Sequence, residues 1–182
     1  MSTTRRVRWP LHCPAAELDR RGQALVEFAL ILPVLMLILM SIIQLGFIFG
    51  AQIGLINGVR EGARYGSLTP TTGANASTVG PAVRSYLTTT VLSTNVMGYR
   101  STNLRSSSVT YCGYQNPGAS TYSVRLTVSA RYGHPLFIPL VGVILDGFDG
   151  TSDSALAITS TERFRVENMP LNASEVTSLP AC

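Results

Sequence analysis

Residues 28–49 read FALILPVLMLILMSIIQLGFIF, a largely apolar run without a single charge. As an α-helix this run would be about 33 Å long, enough to cross a hydrocarbon core of about 30 Å. A cleaved secretory signal is the competing interpretation, but the apolar core of such a signal has about 7–15 residues and ends at a small-residue site. This run is longer and no such site closes it, so the sequence predicts a transmembrane helix.

The charges on either side of the run predict its orientation. Residues 1–22 contain five arginines and two acids, whereas Arg60, Glu61 and Arg64 follow the run. The positive-inside rule places the N-terminus in the cytoplasm and the C-terminal domain outside. We therefore divide the chain into a basic cytoplasmic leader (1–22), a long hydrophobic helix (23–66) and an extracytoplasmic domain (67–182).

The net charge does not indicate a nucleic-acid partner. The formal charge is +4, of which the leader carries +3 and the rest of the chain +1. No basic face therefore remains to follow a phosphate backbone.

Glycines recur every fourth residue along the second part of the helix. A step of four residues advances about 40° around a helix, so the series winds around about half of it. Small residues at this spacing allow close packing of several neighbouring helices, which we expect here; a flexible, glycine-rich segment at the membrane exit is the alternative. The series is Gly46, Gly50, Gly54, Gly58, Gly62 and Gly66.

The pattern after residue 66 predicts a small α+β domain with an antiparallel sheet. Residues 122–132 alternate apolar and polar side chains, as in a half-buried strand, and residues 107–112 form a shorter partner across the turn Asn116-Pro117-Gly118. A last strand is expected over 155–167. Helical spacing over 79–92 predicts a helix, with Thr78 as its N-cap. Residues 136–145 are apolar and too short to span a bilayer, which predicts a short buried helix.

The cysteines also bear on the compartment. Cys13 lies in the leader, on the reducing side, whereas Cys112 and Cys182 lie in the exported domain, where disulfides persist. One internal pairing is possible there. We expect this bridge; two free thiols, or pairing with another chain, are the alternatives.

The sequence offers no convincing catalytic site. His134 is the only histidine after the leader, and no nucleophile or phosphate-binding motif accompanies it. Asp146, Asp149 and Asp153 do not match the spacing of a calcium loop, so an acidic turn is expected. We therefore predict no enzyme, no cofactor and no metal.

The junction between leader and helix reads Arg20-Arg21-Gly22-Gln23-Ala24-Leu25-Val26-Glu27-Phe28. A glutamate at a membrane boundary is costly to bury, so it calls for a function or a partner. The arrangement resembles the processing site of type IV pilin-like proteins. More specifically, residues 22–65 resemble the TadE-like family of the tight-adherence (Tad) pilus system, through GQALVEFALILP at 22–33 and REGARY at 60–65.

The resemblance implies a minor pilin or pseudopilin that serves a Tad-type pilus. A prepilin peptidase would cut between Gly22 and Gln23, and Glu27, with Phe28 beside it, would serve subunit assembly. A neighbour's Glu27 carboxylate would pair with the freed α-amino group of Gln23, offsetting the cost of burying either charge. The implied partners are the cytoplasmic membrane, other pilin-like subunits, the prepilin peptidase and the pilus assembly platform.

Two other functions are open to the sequence. An uncleaved single-pass anchor that displays an extracytoplasmic binding or adhesin domain needs neither Gly22 nor Glu27. A tethered hydrolase would need the catalytic site that the sequence lacks.

Overall fold

The computed structural model describes residues 15–138, 142, 147, 153–167 and 171–182, with side chains from Gly22 onward. The chain divides into two units, Met1–Met40 and Ser41–Cys182. Across the described residues it is an α+β protein: one long helix, several short helices and an antiparallel sheet. The predicted fold class is confirmed.

Helix α1 (Ala15–Ser67) supplies the described part of the first unit and begins the second. It ends one residue after the predicted end at residue 66, and it begins within the leader, so Gly22 is helical rather than placed before a helix. In the first unit, the large apolar side chains between Leu25 and Met40 are exposed, except for the half-buried Leu32. A helix with such a surface requires an apolar surrounding that the described chain does not supply.

A second helical segment follows the loop after α1. It consists of α2 (Ala76–Tyr86), a π-helical turn (Leu87–Val91) and α3 (Leu92–Asn95). The helix predicted over 79–92 is therefore confirmed, but its N-cap is Asn75, and the prediction of Thr78 is wrong. The Asn75 carbonyl already accepts the N–H groups of Thr78 at 2.9 Å and Val79 at 3.0 Å, which places Thr78 inside the first turn.

Within the described residues, the sheet has the order β1 (Leu104–Gln115), β2 (Tyr122–Pro135) and β3 (Ala155–Arg165), with both pairs antiparallel. All three predicted strands are present. The β1–β2 turn has Gly118 at φ +73°, a backbone conformation that favours glycine.

The inner face of the sheet and the helices form one core in the second unit. The alternating residues of β2 point into it and meet side chains of α1 and of the second helical segment. The buried β2 residues that the alternation identified are Val124, Leu126, Val128, Ala130 and Tyr132.

The C-terminus closes against the sheet. Helix α4 (Ala173–Val176) begins with a capping box formed by Asn172 and Glu175, and Ala181 forms an isolated parallel bridge with Gly113. The predicted disulfide is confirmed: Cys112 and Cys182 are bonded, with a Cα–Cα distance of 5.1 Å. Most of the helix predicted over 136–145 lies outside the described residues, as do Asp146 and Asp149. Asp153 is described and pairs with Arg105.

Candidate functional site

The junction residues lie on the exposed surface of α1. A Cβ atom placed on Gly22 would meet no atom within 4 Å. The Gln23 side-chain amide donates to Glu27 Oε1 at 3.3 Å, one helical turn further on. Glu27 and Phe28 are both exposed. The structure therefore brings Gln23 and Glu27 together within one chain and leaves the carboxylate open to a further donor.

The apolar run after the junction is long enough for a membrane anchor. Residues Gly22–Ser67 contain a stretch apolar enough to cross a membrane, and none of that stretch is buried within the chain. The helix is thus compatible with a single-pass anchor.

The glycine series lies against the second helical segment. A Cβ on Gly54 would overlap the backbone carbonyl oxygen of Asn95. On Gly62 it would lie 2.8 Å from Leu87 Cδ1, and on Gly66 it would lie 3.0 Å from Val83 Cγ1 of α2 and 2.7 Å from Leu126 Cδ2 of β2. Such separations are shorter than van der Waals contact, so these glycines let the antiparallel helix approach closely.

The series changes character toward its N-terminal end. Gly58 would place a Cβ 3.0 Å from Leu92, Gly50 would place it 3.7 Å from Met97, and Gly46 would meet nothing within 4 Å. The described contacts of the C-terminal glycines are therefore within the chain. Packing of the series between neighbouring subunits stays a prediction, and Gly46 is the position that remains open for it.

Gln44 holds the end of β2 against α1. Its side chain is 1% exposed. Its Oε1 accepts the N–H of Phe137 at 2.9 Å, and its Nε2 lies 3.5 Å from the carbonyl oxygen of Pro135. This role of Gln44 was not predicted from the sequence. The signal was available: a lone amide in an uncharged apolar run must find a hydrogen-bond partner once it is buried.

An open hollow of about 370 Å³ lies beside this contact. Phe47, Met97, Gly98 and Phe137 line it together with His134. His134 is 4% exposed, and neither ring nitrogen has a hydrogen-bond partner among the described residues. Burial lowers the pKa of His134 below its ordinary value, because the charged imidazolium loses its hydration there.

The residues after the apolar run attach α1 to the domain. Arg60 lies 3.5 Å from Glu162 of β3, and Tyr65 stacks on Tyr86 of α2 with ring centroids 4.2 Å apart. Ala63 is fully buried between these contacts. The REGARY segment therefore serves packing within the chain, while Glu61 and Arg64 face solvent.

These features define a class of protein: one apolar helix suited to a membrane, continued into a small disulfide-closed α+β domain. The family model described as TadE-like protein matches residues 22–64. The matched segment is about a quarter of the chain and holds the junction, the apolar run and the glycines up to Gly62. It agrees with the resemblance carried by the same residues and indicates a pilin-like component associated with Tad pili. No curated protein and no solved structure matches the chain.

Proposed function

We propose that the chain is a minor pilin or pseudopilin of a Tad-type pilus, with a structural rather than a catalytic role. The observation that carries this proposal is the junction: Gly22 and Glu27 stand exposed at the start of an uncovered apolar helix, inside the segment that matches the TadE-like family. A plain anchor would need a hydrophobic helix but neither of these residues.

The proposed orientation has the leader in the cytoplasm and the disulfide-closed domain outside. The arginines before the helix favour this arrangement, and the Cys112–Cys182 bridge favours an oxidising compartment for the domain. Protease added to intact cells should then remove the domain. A domain that is cut only after the cytoplasm is opened would reverse the orientation.

Processing by a prepilin peptidase is proposed to occur between Gly22 and Gln23. The bond lies inside a helical turn, so it must be unwound before it can enter a protease site. Glycine lowers helix stability by about 1 kcal/mol relative to alanine, and it accepts extended conformations. Its lack of a side chain also leaves the bond open to approach.

Assembly is proposed to use the Glu27 carboxylate. Cleavage frees the α-amino group of Gln23, whose side-chain amide donates to Glu27 Oε1 of the same chain at 3.3 Å. In a bundle of such helices, the carboxylate of a neighbouring subunit can accept the same positive charge. The pairing would offset the burial of both charges and set the axial stagger between subunits. Other pilin-like subunits and the assembly platform are the partners that this mechanism requires.

The N-terminal sequence of membrane-extracted protein tests processing. Wild type should begin at Gln23 in cells that contain the peptidase. Gly22→Leu should stay full-length and in the membrane, whereas Gly46→Leu, another open glycine of the same helix, should be cleaved normally. A wild-type protein that keeps residues 1–22 would overturn the pilin-like proposal in favour of an uncleaved anchor that displays a binding domain.

Co-purification with pilus components tests assembly. Glu27→Leu should insert and be cleaved but should recover fewer partners. Glu61→Leu is the matched control, because Glu61 is also an exposed acid of α1 but lies beyond the apolar run. Equal recovery with both variants would remove the assembly role of Glu27.

A further inference from the structure

Two exposed apolar side chains of the domain lie beside the end of the apolar run. Phe137 is 66% exposed and Met97 is 54% exposed. The Phe137 ring contacts Phe47 of α1 edge to face, with centroids 6.3 Å apart, and Met97 lies against Gly50. We call the surface formed by Phe47, Met97 and Phe137 the apolar face.

The position of the apolar face along α1 is set by Gln44. The N–H of Phe137 is bound to the Gln44 side chain, five residues before the apolar run ends at Phe49. Five residues of helix correspond to about 7.5 Å. Phe137 therefore lies at the level of the last turns of the run, and Met97, against Gly50, lies at the end of the run.

Helix length then places this level relative to a bilayer. Residues 28–43, the part of the run before Gln44, would measure about 24 Å as a helix, which is shorter than a hydrocarbon core of about 30 Å. A span that begins at Phe28, directly after the charged Glu27, must therefore include turns from residues 44–49. Gln44 and Ile48 are already buried against the domain, so the domain accompanies these turns to the membrane.

We propose that the apolar face of the domain docks on the lipid bilayer, with Phe137 and Met97 in the interface between headgroups and acyl chains. Amphipathic surfaces enter this region by about 5–10 Å, which agrees with the level fixed by Gln44. Large apolar side chains that are exposed in water gain free energy there, and the satisfied Gln44 side chain leaves no unpaired amide at that depth. The inference rests on the proposed membrane anchoring.

Single-tryptophan reporters test this docking. The chain has one tryptophan, Trp9, in the leader, so Trp9→Phe gives a silent background. In that background, full-length protein is reconstituted in phosphatidylcholine vesicles whose acyl chains carry bromine, a short-range quencher. Phe137→Trp should lose most of its fluorescence relative to vesicles of unbrominated lipid, and Met97→Trp should respond similarly.

Two further tryptophan variants serve as the unquenched and the quenched controls. Leu68→Trp is the matched control, because Leu68 is also 54% exposed but follows the last residue of α1 at the opposite end of the domain, and it should keep its emission. Met36→Trp, in the middle of the apolar run, reports insertion of the helix and should be strongly quenched.

The outcomes separate docking from anchoring. If Met36→Trp is quenched while Phe137→Trp and Met97→Trp both behave like Leu68→Trp, the docking inference is wrong and the anchor stands. If Met36→Trp is not quenched, membrane anchoring itself fails. Retention of the Cys112–Cys182 bridge in each variant, read by mass spectrometry without reductant, shows that the domain is folded.

Discussion

The two parts of helix α1 share one secondary structure but bury their side chains in opposite ways. Between Leu25 and Met40 most side chains are large and apolar, and all of these except the half-buried Leu32 are exposed. Between Gly46 and Gly66 every fourth residue is a glycine, and the residues beside the glycines, such as Leu55 and Val59, are fully buried. The first part lacks a covering within the described chain, whereas the second is covered by the domain.

The difference lies in what each part can be packed against. Large side chains make a wide apolar surface that suits lipid or the helices of other subunits. Glycines bring backbones close, and here they admit a second helix of the same chain. The change from large side chains to regularly spaced glycines marks the point along α1 after which the apolar side chains are covered by the chain's own domain.

Loss of the disulfide should have the largest effect on stability. It should destabilise the domain and the part of α1 that the domain covers, and it should leave the exposed part of α1 unchanged. The bridge joins residues 70 positions apart. The chain-entropy model gives up to about 4 kcal/mol for such a loop, and measured values are usually smaller. Cys112→Ser should lower the free energy of unfolding of the domain, measured by chemical denaturation in detergent, without releasing the protein from the membrane.

Cys13→Ser is the control for this change, because Cys13 lies in the leader, outside the described residues. If the two variants unfold at the same denaturant concentration, the bridge does not stabilise the domain.

Alanine substitutions at two glycines should separate the two ends of the series. Gly54→Ala forces a Cβ onto the carbonyl of Asn95, and overpacking of this kind costs about 1–3 kcal/mol. Gly46→Ala meets no atom and should raise helix stability by up to about 1 kcal/mol. Thermal unfolding followed by circular dichroism compares them.

Equal destabilisation by the two alanines would contradict the packing described for Gly54. If instead Gly46→Ala leaves the domain intact but reduces co-purification of partners, packing between subunits at the open end of the series is supported.

The domain, which contains His134, should become less stable as the pH is lowered from neutral. Burial lowers the pKa of His134 below its unfolded value of about 6.5, so the neutral ring is favoured in the fold. Its contribution is complete above the unfolded pKa and is lost as the pH falls toward the folded pKa. Unfolding midpoints measured from neutral to mildly acidic pH should decrease for wild type.

His134→Phe, which cannot be protonated, should flatten this dependence over the same range. A wild-type profile that matches that of His134→Phe would show that other groups cause the acid sensitivity.

The ion pair after the apolar run should have the smallest effect. Arg60 and Glu162 are 3.5 Å apart, and the Arg60 side chain is largely exposed. Exposed pairs contribute about 0–1 kcal/mol. Glu162→Gln should therefore change the unfolding midpoint much less than Gly54→Ala. An equal decrease of the midpoint in the two variants would show that the ion pair stabilises the packing of α1 on the domain as much as the close contact at Gly54 does.

The sequence alone was enough to predict the elements whose cause is local. The uncharged run over 28–49 requires an apolar surrounding wherever it lies, and the alternation over 122–132 permits one buried face. The bridge between Cys112 and Cys182 was also predictable, because the sequence after the apolar run contains only these two cysteines. The start of α2 was missed by three residues, since Asn75 and Thr78 are both acceptable caps and the backbone hydrogen bonds decide between them.

Only the tertiary structure decided what covers each face. A glycine every fourth residue reports a close approach but not the identity of the approaching helix, and the same spacing fits another subunit or Asn95 and Leu87 of this chain. The role of Gln44 also depends on Phe137, which lies 93 residues away in the sequence. The periodicity of a sequence describes a single helix or strand. The element that packs against it is determined by contacts between residues far apart in the chain, and these contacts cannot be read from a local sequence pattern.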